Sequence, residues 1–547
     1  MYAFLNSLIS LSPVLLVVMP VIGACFGWGI SRLGLEFNRW TAFSNTLVSC
    51  LILGAVMSAP FLRDDQDARP THAISVGLNL PAATDAGTEA ASLHAIRWAL
   101  DTDTVWFLLL PTCLWPVMIL FSNRIPAAGR LHYFLLLMLQ ALLAGILVSH
   151  DLISFATFLI LTTFCLLCLM RLWSGARSQA VFESTMYLQF LSDALILAGL
   201  LLAATTYTWM QGILFETPQP RTFQFRDILE GTVNDVVDYP LAEAYWDMVS
   251  PWIFLLLLTG FIIKGSLFPV HYGLTQWLTR EPARARSTFD PVGWNLVLLA
   301  LITKISIYGM IRFMVPLNFA LGASLFSGLA FWGTSGFLIA ALIAWCRNDL
   351  LQIVVWFLIG QTSLTLTILF AADSATVPHF ILLNVIQGLA CCLLLLIVPL
   401  ISRQTDSRMD RLLIWIAGLS VLTLIGVPGL GGFTAQFCFL WSLANQSLLL
   451  VLCYLPGTLL FNLALIRVFW QLVKTDHAEP RSPAGTLNAL PTENSGTVWL
   501  ACSPALLLLV LAGISPTTLL EETLFPLKDI NVSAIETPAI ETPAVEE

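Results

Sequence analysis

Runs of roughly twenty apolar residues, the length needed to cross a bilayer as a helix, recur along almost the whole chain and leave few architectures open. Fourteen such segments can be delimited: 13–30, 43–62, 104–122, 131–149, 151–173, 184–205, 250–278, 293–314, 318–345, 350–371, 377–401, 412–443, 448–472 and 497–516. Hydrocarbon offers no hydrogen-bond partner to a backbone, so segments of this kind span as helices whose N–H and C=O groups pair internally. Hydrophobic residues make up 57% of the 547 residues and charged residues 11%, too little polar surface for a water-soluble chain of this length. The expected fold class is an all-α polytopic membrane protein. The run 13–30 has no basic leader and no small-x-small cleavage site ahead of a soluble domain, and it is read as the first span.

Orientation follows from basic residues in short loops. Loops after odd-numbered segments hold Arg32 and Arg39; Arg124 and Arg130; Arg177; Arg280, Arg284 and Arg286; Arg347; Arg403, Arg408 and Arg411; Lys474 and Arg481. Even-numbered loops hold few, and Arg221 and Arg226 are outnumbered there by Asp227, Glu230, Asp235, Asp238, Glu243 and Asp247. Both termini are therefore expected on the outer, periplasmic side of a cell (inner) membrane. The net charge of −9 names no partner, because most acids lie in two loops and the tail, and no basic stripe points to nucleic acid. The ending AIETPAIETPAVEE is an acidic proline repeat without an apolar face and is expected to be disordered.

The eleven cysteines are scattered. Cys165 and Cys168 form a C-x-x-C inside an apolar run with no histidine or second pair nearby, so they read as small buried hydrophobes. No iron–sulfur ligand set, dinucleotide fingerprint or haem-attachment motif is present, and no cofactor is expected on this chain.

Against that apolar background, charge stands out. Only four lysines occur, and Lys264 and Lys304 lie in the middle of spans, where an ammonium costs about 2.5–3.5 kcal/mol even on lenient scales. Asp193 lies midway along its own segment, at similar depth. Segments 250–278 and 412–443 are too long for one straight helix, and each carries breakers near its middle: Gly265, Ser266 and Pro269 in one, Pro428, Gly429, Gly431 and Gly432 in the other. Interrupted helices at matched positions of two halves point to an ion site at mid-membrane; two shorter spans joined by a loop would give the same pattern.

The stretches GFIIKGSLFPVHYGL (260–274), LITKISIYGMIRF (301–313), NDLLQIVVW (348–356) and LIGVPGLGGFTAQFCFL (424–440), in that order, resemble the antiporter-like membrane subunits of respiratory complex I, most closely chain M (subunit 4), with related Mrp-type antiporter and membrane hydrogenase subunits. The likeness covers roughly residues 104–472. It implies fourteen helices with two inverted five-helix repeats and broken helices seven and twelve. The chain would divide into an N-terminal three-helix segment (1–130), a first repeat (131–314), a second repeat poor in titratable groups (315–472), a final helix (473–520) and the acidic tail (521–547). By position, the resemblance makes Lys264 and Lys304 the relay lysines of helices seven and eight, and His271 the histidine after the break.

The chain also departs from that pattern. The usual glutamate of helix five falls at Ile160, polar or histidine positions of helices ten and eleven fall at Gln361 and Gln387, and the titratable residue of helix twelve falls at Gln436. Glutamine hydrogen-bonds but does not titrate. Asp193 is the candidate to replace the missing glutamate as partner of Lys264; protonated, or bonded to Ser192 or the helix backbone, it would instead be inert. His271 either relays protons or satisfies carbonyls freed at the break. Trp106, Trp115, Trp252 and Trp277 are expected as interfacial anchors, and Arg312 to snorkel or cap its helix end. The function implied is a membrane-arm subunit of a proton-translocating NADH:quinone oxidoreductase, working with other membrane subunits while the complex uses NADH and quinone. An Mrp-like cation/proton antiporter subunit and a non-pumping scaffold are the alternatives.

Overall fold

The computed structural model describes residues 2–30, 34–62, 97–122, 129–174, 179–215, 224–225, 228–229, 240–279, 292–317, 323–370, 376–401, 407–475 and 495–514. The acidic tail and the basic loop at 280–291 fall outside them. In chain order the helices are α1 (Tyr2–Ile30), α2 (Leu35–Leu62), α3 (Thr102–Phe121), α4 (Arg130–Val148), α5 (Leu152–Ser174), α6 (Gln179–Phe215), α7 (Pro240–Gly265), α8 (Tyr272–Thr279), α9 (Val292–Gly309), α10 (Ala323–Trp345), α11 (Leu350–Ser363), α12 (Thr365–Phe370), α13 (Thr376–Ile401), α14 (Ser407–Ile425), α15 (Gly431–Gln446), α16 (Leu448–Thr475) and α17 (Ser495–Ile514). A π-helical turn, Met310–Met314, prolongs α9.

Thirteen candidate membrane spans are present among the described residues, and Arg411–Ile425 is a shorter apolar helix. The difference from fourteen lies in the twelfth segment, which the break divides into α14 and the 16-residue α15. Several helices outrun their predicted ends, α1 and α6 most of all. An interruption at Leu364, between α11 and α12, was not expected from the sequence.

Both predicted breaks are real, and their loose backbone groups are satisfied. At the first, Ser266 takes φ 51°. The amide of Phe268 donates to Ser363 Oγ (3.1 Å), and Trp332 Nε1 donates to the Phe268 carbonyl (3.0 Å). At the second, the chain turns through left-handed backbone at Gly426 and Gly429. There Gln436 Nε2 donates to Leu424 O (2.7 Å) and Asn462 Nδ2 to Ile425 O (3.0 Å). A carbonyl left bare in hydrocarbon costs several kcal/mol, so these amides hold the breaks open.

Helices α3, α9, α11 and α13 form the interior, while α1, α2, α10, α16 and α17 turn broad apolar faces outward. Burial corrects two expectations. Trp106 and Trp115 are core residues at 0% exposure, the second donating to Leu136 O (2.9 Å), and Trp277 is buried as well; of the four, Trp252 is exposed. Arg312 donates to the Leu147 carbonyl at the end of α4 (3.4 Å), so the helix end it caps is a neighbour's and not its own.

Gly432 starts α15 so close to α14 that a Cβ would lie 1.7 Å from the Thr423 carbonyl oxygen, a backbone atom with no room to yield. Gly432→Ala should therefore cost more than the ~1–3 kcal/mol usual for overpacking. The expected result is a lower detergent-solubilised unfolding midpoint and yield, with Gly29→Ala, which has nothing within 4 Å, as a silent control. Equal midpoints for the parent and Gly432→Ala would refute the packing.

Candidate functional site

The first break ends α7 one residue after Lys264, which places that side chain deep in the bundle at 1% exposure. Its Nζ donates to Asp193 Oδ1 at 2.5 Å, and to Thr163 Oγ1 and Gln189 Oε1 at 3.4 Å each. Thr163 Oγ1 in turn donates to Asp193 Oδ2 at 2.6 Å. Three helices thus contribute to one closed polar cell: α5 the hydroxyl, α6 the carboxylate and amide, α7 the amine. Either charge alone would be prohibitive at this depth; together, each with a second hydrogen bond, they are tolerable.

The cell extends along α6. Thr185, Gln189 and Asp193 are spaced by four residues and share one face. Thr185 Oγ1 accepts from Gln276 Nε2 (2.8 Å) and Trp277 Nε1 (3.2 Å) of α8. The short helix beyond the break is thereby tied to the same polar stripe as the carboxylate.

Lys304, on α9, has different company. Its Nζ donates to Gln361 Oε1 on α11 (3.2 Å) and Asn384 Oδ1 on α13 (3.1 Å). Gln361 Nε2 donates onward to Gln387 Oε1. Neutral oxygens solvate this ammonium without neutralising it. Gly388 makes room for it, since a Cβ there would sit 2.8 Å from Lys304 Cε.

Two expected positions lie elsewhere. Ile160 is 45% exposed on the outer face of α5, and the α5 side chain that meets Lys264 is Thr163, nearly a turn further on. His271 lies past the break against the rings of Phe268 and Trp356, with centroids 5.4 and 4.9 Å away, and no hydrogen bond joins it to either lysine. Gln436 serves the second break, as described above, and meets no lysine. The sequence reading missed Gln189, Asn384 and Thr163. For the first, the signal was the four-residue polar spacing on α6; for the others, it was an isolated amide or hydroxyl within an otherwise apolar run. Cys165 is buried with its Sγ on Leu135 O (3.3 Å), and among the described residues no cluster of histidine, cysteine or carboxylate side chains is placed to hold a metal.

Similarity to known proteins agrees with this architecture. Over most of its length the chain is similar to NADH-quinone oxidoreductase subunit M of Rhodobacter capsulatus, 23% identical across 71% of this chain and 75% of the relative. It is 20% identical to subunit M of Escherichia coli K12, across 78% and 80%. Its fold is similar to a chain of respiratory complex I from Thermus thermophilus with bound NADH (TM-score 0.69, 19% identity, 93% of this chain and 97% of that one). It is also similar to a chain of the Mrp complex from Dietzia sp. (TM-score 0.67, 16% identity, 94% and 96%). The family profile described as NADH:quinone oxidoreductase/Mrp antiporter, TM, matches residues 149–460, more than half of the sequence. A multi-pass membrane chain with two broken helices and lysines buried beside the first, this protein belongs to the NADH:quinone oxidoreductase/Mrp antiporter membrane family.

Proposed function

We propose that the chain is an antiporter-like, subunit-M-type member of the membrane arm of a proton-translocating NADH:quinone oxidoreductase-like complex, and that it passes protons by way of Lys264 and Lys304. NADH and quinone would be handled by other subunits, and neighbouring membrane subunits of the same kind would flank this one. The observation that supports the reading most is the buried 2.5 Å contact between Lys264 and Asp193. A salt bridge in such surroundings adds little net stability over apolar packing, so its retention fits a role in moving charge. On this reading Asp193 takes the part of the absent helix-five glutamate. Pulling the carboxylate from the amine lowers the proton affinity of Lys264. The proton then passes to Lys304, whose amide partners carry no charge to trap it. His271 enters through the aromatic packing of the break. The inverted repeats at 131–314 and 315–472 and the outward-facing termini belong to the same reading, the latter on the distribution of basic loops.

A double-variant cycle separates a relay from a brace. Lys264→Met or Asp193→Leu alone leaves an uncompensated buried charge and should cost about 3–5 kcal/mol, seen as poorer assembly. The pair together should assemble close to normally, yet protons moved per quinone reduced, measured in membrane vesicles, should stay depressed. A double variant that pumps like the parent would make the pair a brace and reject the proposal.

The comparable likeness in fold to an Mrp complex chain (TM-score 0.67 against 0.69) favours one second reading, a cation/proton exchanger subunit. Vesicles holding the assembled complex should show no sodium/proton exchange without an electron donor. Exchange that runs without one would favour the exchanger.

A further inference from the structure

Three helices close a triangle with one hydrogen bond on each side, and the two buried lysines stand on two of them. Between α9 and α7, Ser306 Oγ donates to the Phe261 carbonyl at 2.6 Å. Between α9 and α11, Lys304 Nζ donates to Gln361 Oε1 at 3.2 Å. Between α11 and the residues that leave α7, the Phe268 amide donates to Ser363 Oγ at 3.1 Å. Ser306 follows Lys304 by two residues and Phe261 precedes Lys264 by three, so each lysine lies within a turn of the α7–α9 contact.

The third side is the most elaborate. Helix α7 closes in a Schellman turn: Leu267 N donates to Ile262 O (3.2 Å) and Ser266 N to Ile263 O (3.2 Å), with Ser266 in left-handed backbone at φ 51°. Lys264 sits inside that closed turn. Phe268 is the first residue beyond it, and both of its backbone groups are taken by side chains from the second half of the chain. Its amide goes to Ser363, the last residue of α11, and its carbonyl accepts from Trp332 Nε1 of α10 (3.0 Å). The Ser363 hydroxyl also donates to Ile359 O (2.8 Å), so its donor and an acceptor lone pair are both engaged. Helix α10 reaches the spot because it carries no side chain there. A Cβ on Gly333 would lie 2.6 Å from the Ser363 carbonyl oxygen, and one on Gly336 3.2 Å from Ser363 Cβ. Helices α7 and α9 approach as closely, since a Cβ on Gly265 would meet Ser306 Oγ at 2.8 Å.

We propose that Ser363 and Trp332 are positioning residues for the lysine relay, holding Lys264 on the same frame as Lys304. This rests on the relay reading above. Neither side chain bonds to an amine; they act through Phe268, which they hold by its N–H and its carbonyl. Helix α11 does two jobs within three residues, since Gln361 solvates Lys304 and Ser363 pins the exit from α7. The second half of the chain, with glutamines at 361, 387 and 436, is on this account the mount that spaces the amines of the first half, and it needs no proton of its own to do so. Removing one anchor leaves a backbone group of Phe268 without its partner and frees the end of α7 to shift. Transfer between positioned groups is steep in such shifts, with about a 100-fold loss for a misplacement of roughly 1 Å.

The test uses the assembled complex in membrane vesicles driven by NADH, with Lys264→Met as the reference for a lost relay. Ser363→Ala and Trp332→Phe each delete one anchor. Each should lower protons moved per quinone reduced about twofold or more, with the amount of assembled complex near that of the parent. The two together should do no worse than the stronger single variant, because both act on Phe268. Ser363→Thr, which keeps the hydroxyl, should recover most of the ratio. A brace that served stability alone would lower the yield and leave the ratio of whatever assembles unchanged. Should Ser363→Ala fail to assemble, Trp332→Phe is read in its place, beside Ser306→Ala, which opens the triangle at another corner and carries the same expected loss. Normal ratios in those variants that assemble, beside a defective Lys264→Met, overturn the positioning role and leave the relay standing. Normal pumping by Lys264→Met overturns the relay beneath it.

Discussion

A charge taken into hydrocarbon must bring its own solvent. That requirement governs this structure more than any helix propensity. Lys264 is surrounded by a carboxylate, a hydroxyl and an amide from two neighbouring helices, and Lys304 by amides from two more. The innermost helices are those that supply these groups or line the space between them. Without such partners, burial would force each amine to neutralise or to leave the bilayer core. The fold can be seen as a shell of apolar helices, cheap to build in lipid, around a few polar cells that are not.

Two different solutions to that problem stand one helix apart. Around Lys264 the opposing charge is a formal one, the Asp193 carboxylate. Around Lys304 it is spread over amide dipoles, which favour the ammonium but offer it no alternative home. Three glutamines of the second half have assigned work. Gln361 and Gln387 form the bed of Lys304, and Gln436 seals the carbonyl of Leu424 at the second break. At these places the amides supply hydrogen bonds where backbone or ammonium needs them.

Much of this was legible in the chain. Apolar length gave the spans, glycine and proline placed the breaks, and the expense of mid-span charge singled out Lys264, Lys304 and Asp193. The partnership of Lys264 with Asp193 was framed as one of two options, and the contact is present. What the chain did not display was rotation about the helix axis. Ile160 and Thr163 differ by three residues, yet one faces outward and the other the amine. In a uniformly apolar run, hydropathy cannot say which face is inward. The same blindness made Trp106 and Trp115 look interfacial when they fill the core. Gln189 and Asn384 were overlooked because a lone amide in a span is not expensive enough to attract notice, although its spacing from Asp193 or Gln387 is informative.

One contact binds mechanics to chemistry. The stub of helix beyond the first break grips α6 at Thr185 through Gln276 and Trp277, two turns along the same face from Asp193. A helix transmits displacement along its axis with little loss, whereas the unwound residues 266–271 absorb it. Any partner that tilts the stub would therefore pull on the rod that carries the acid while leaving the rod that carries the base nearly still. The break is then a lever's fulcrum, and a push at the rim of the bundle is read at its centre as a change in acid–base spacing.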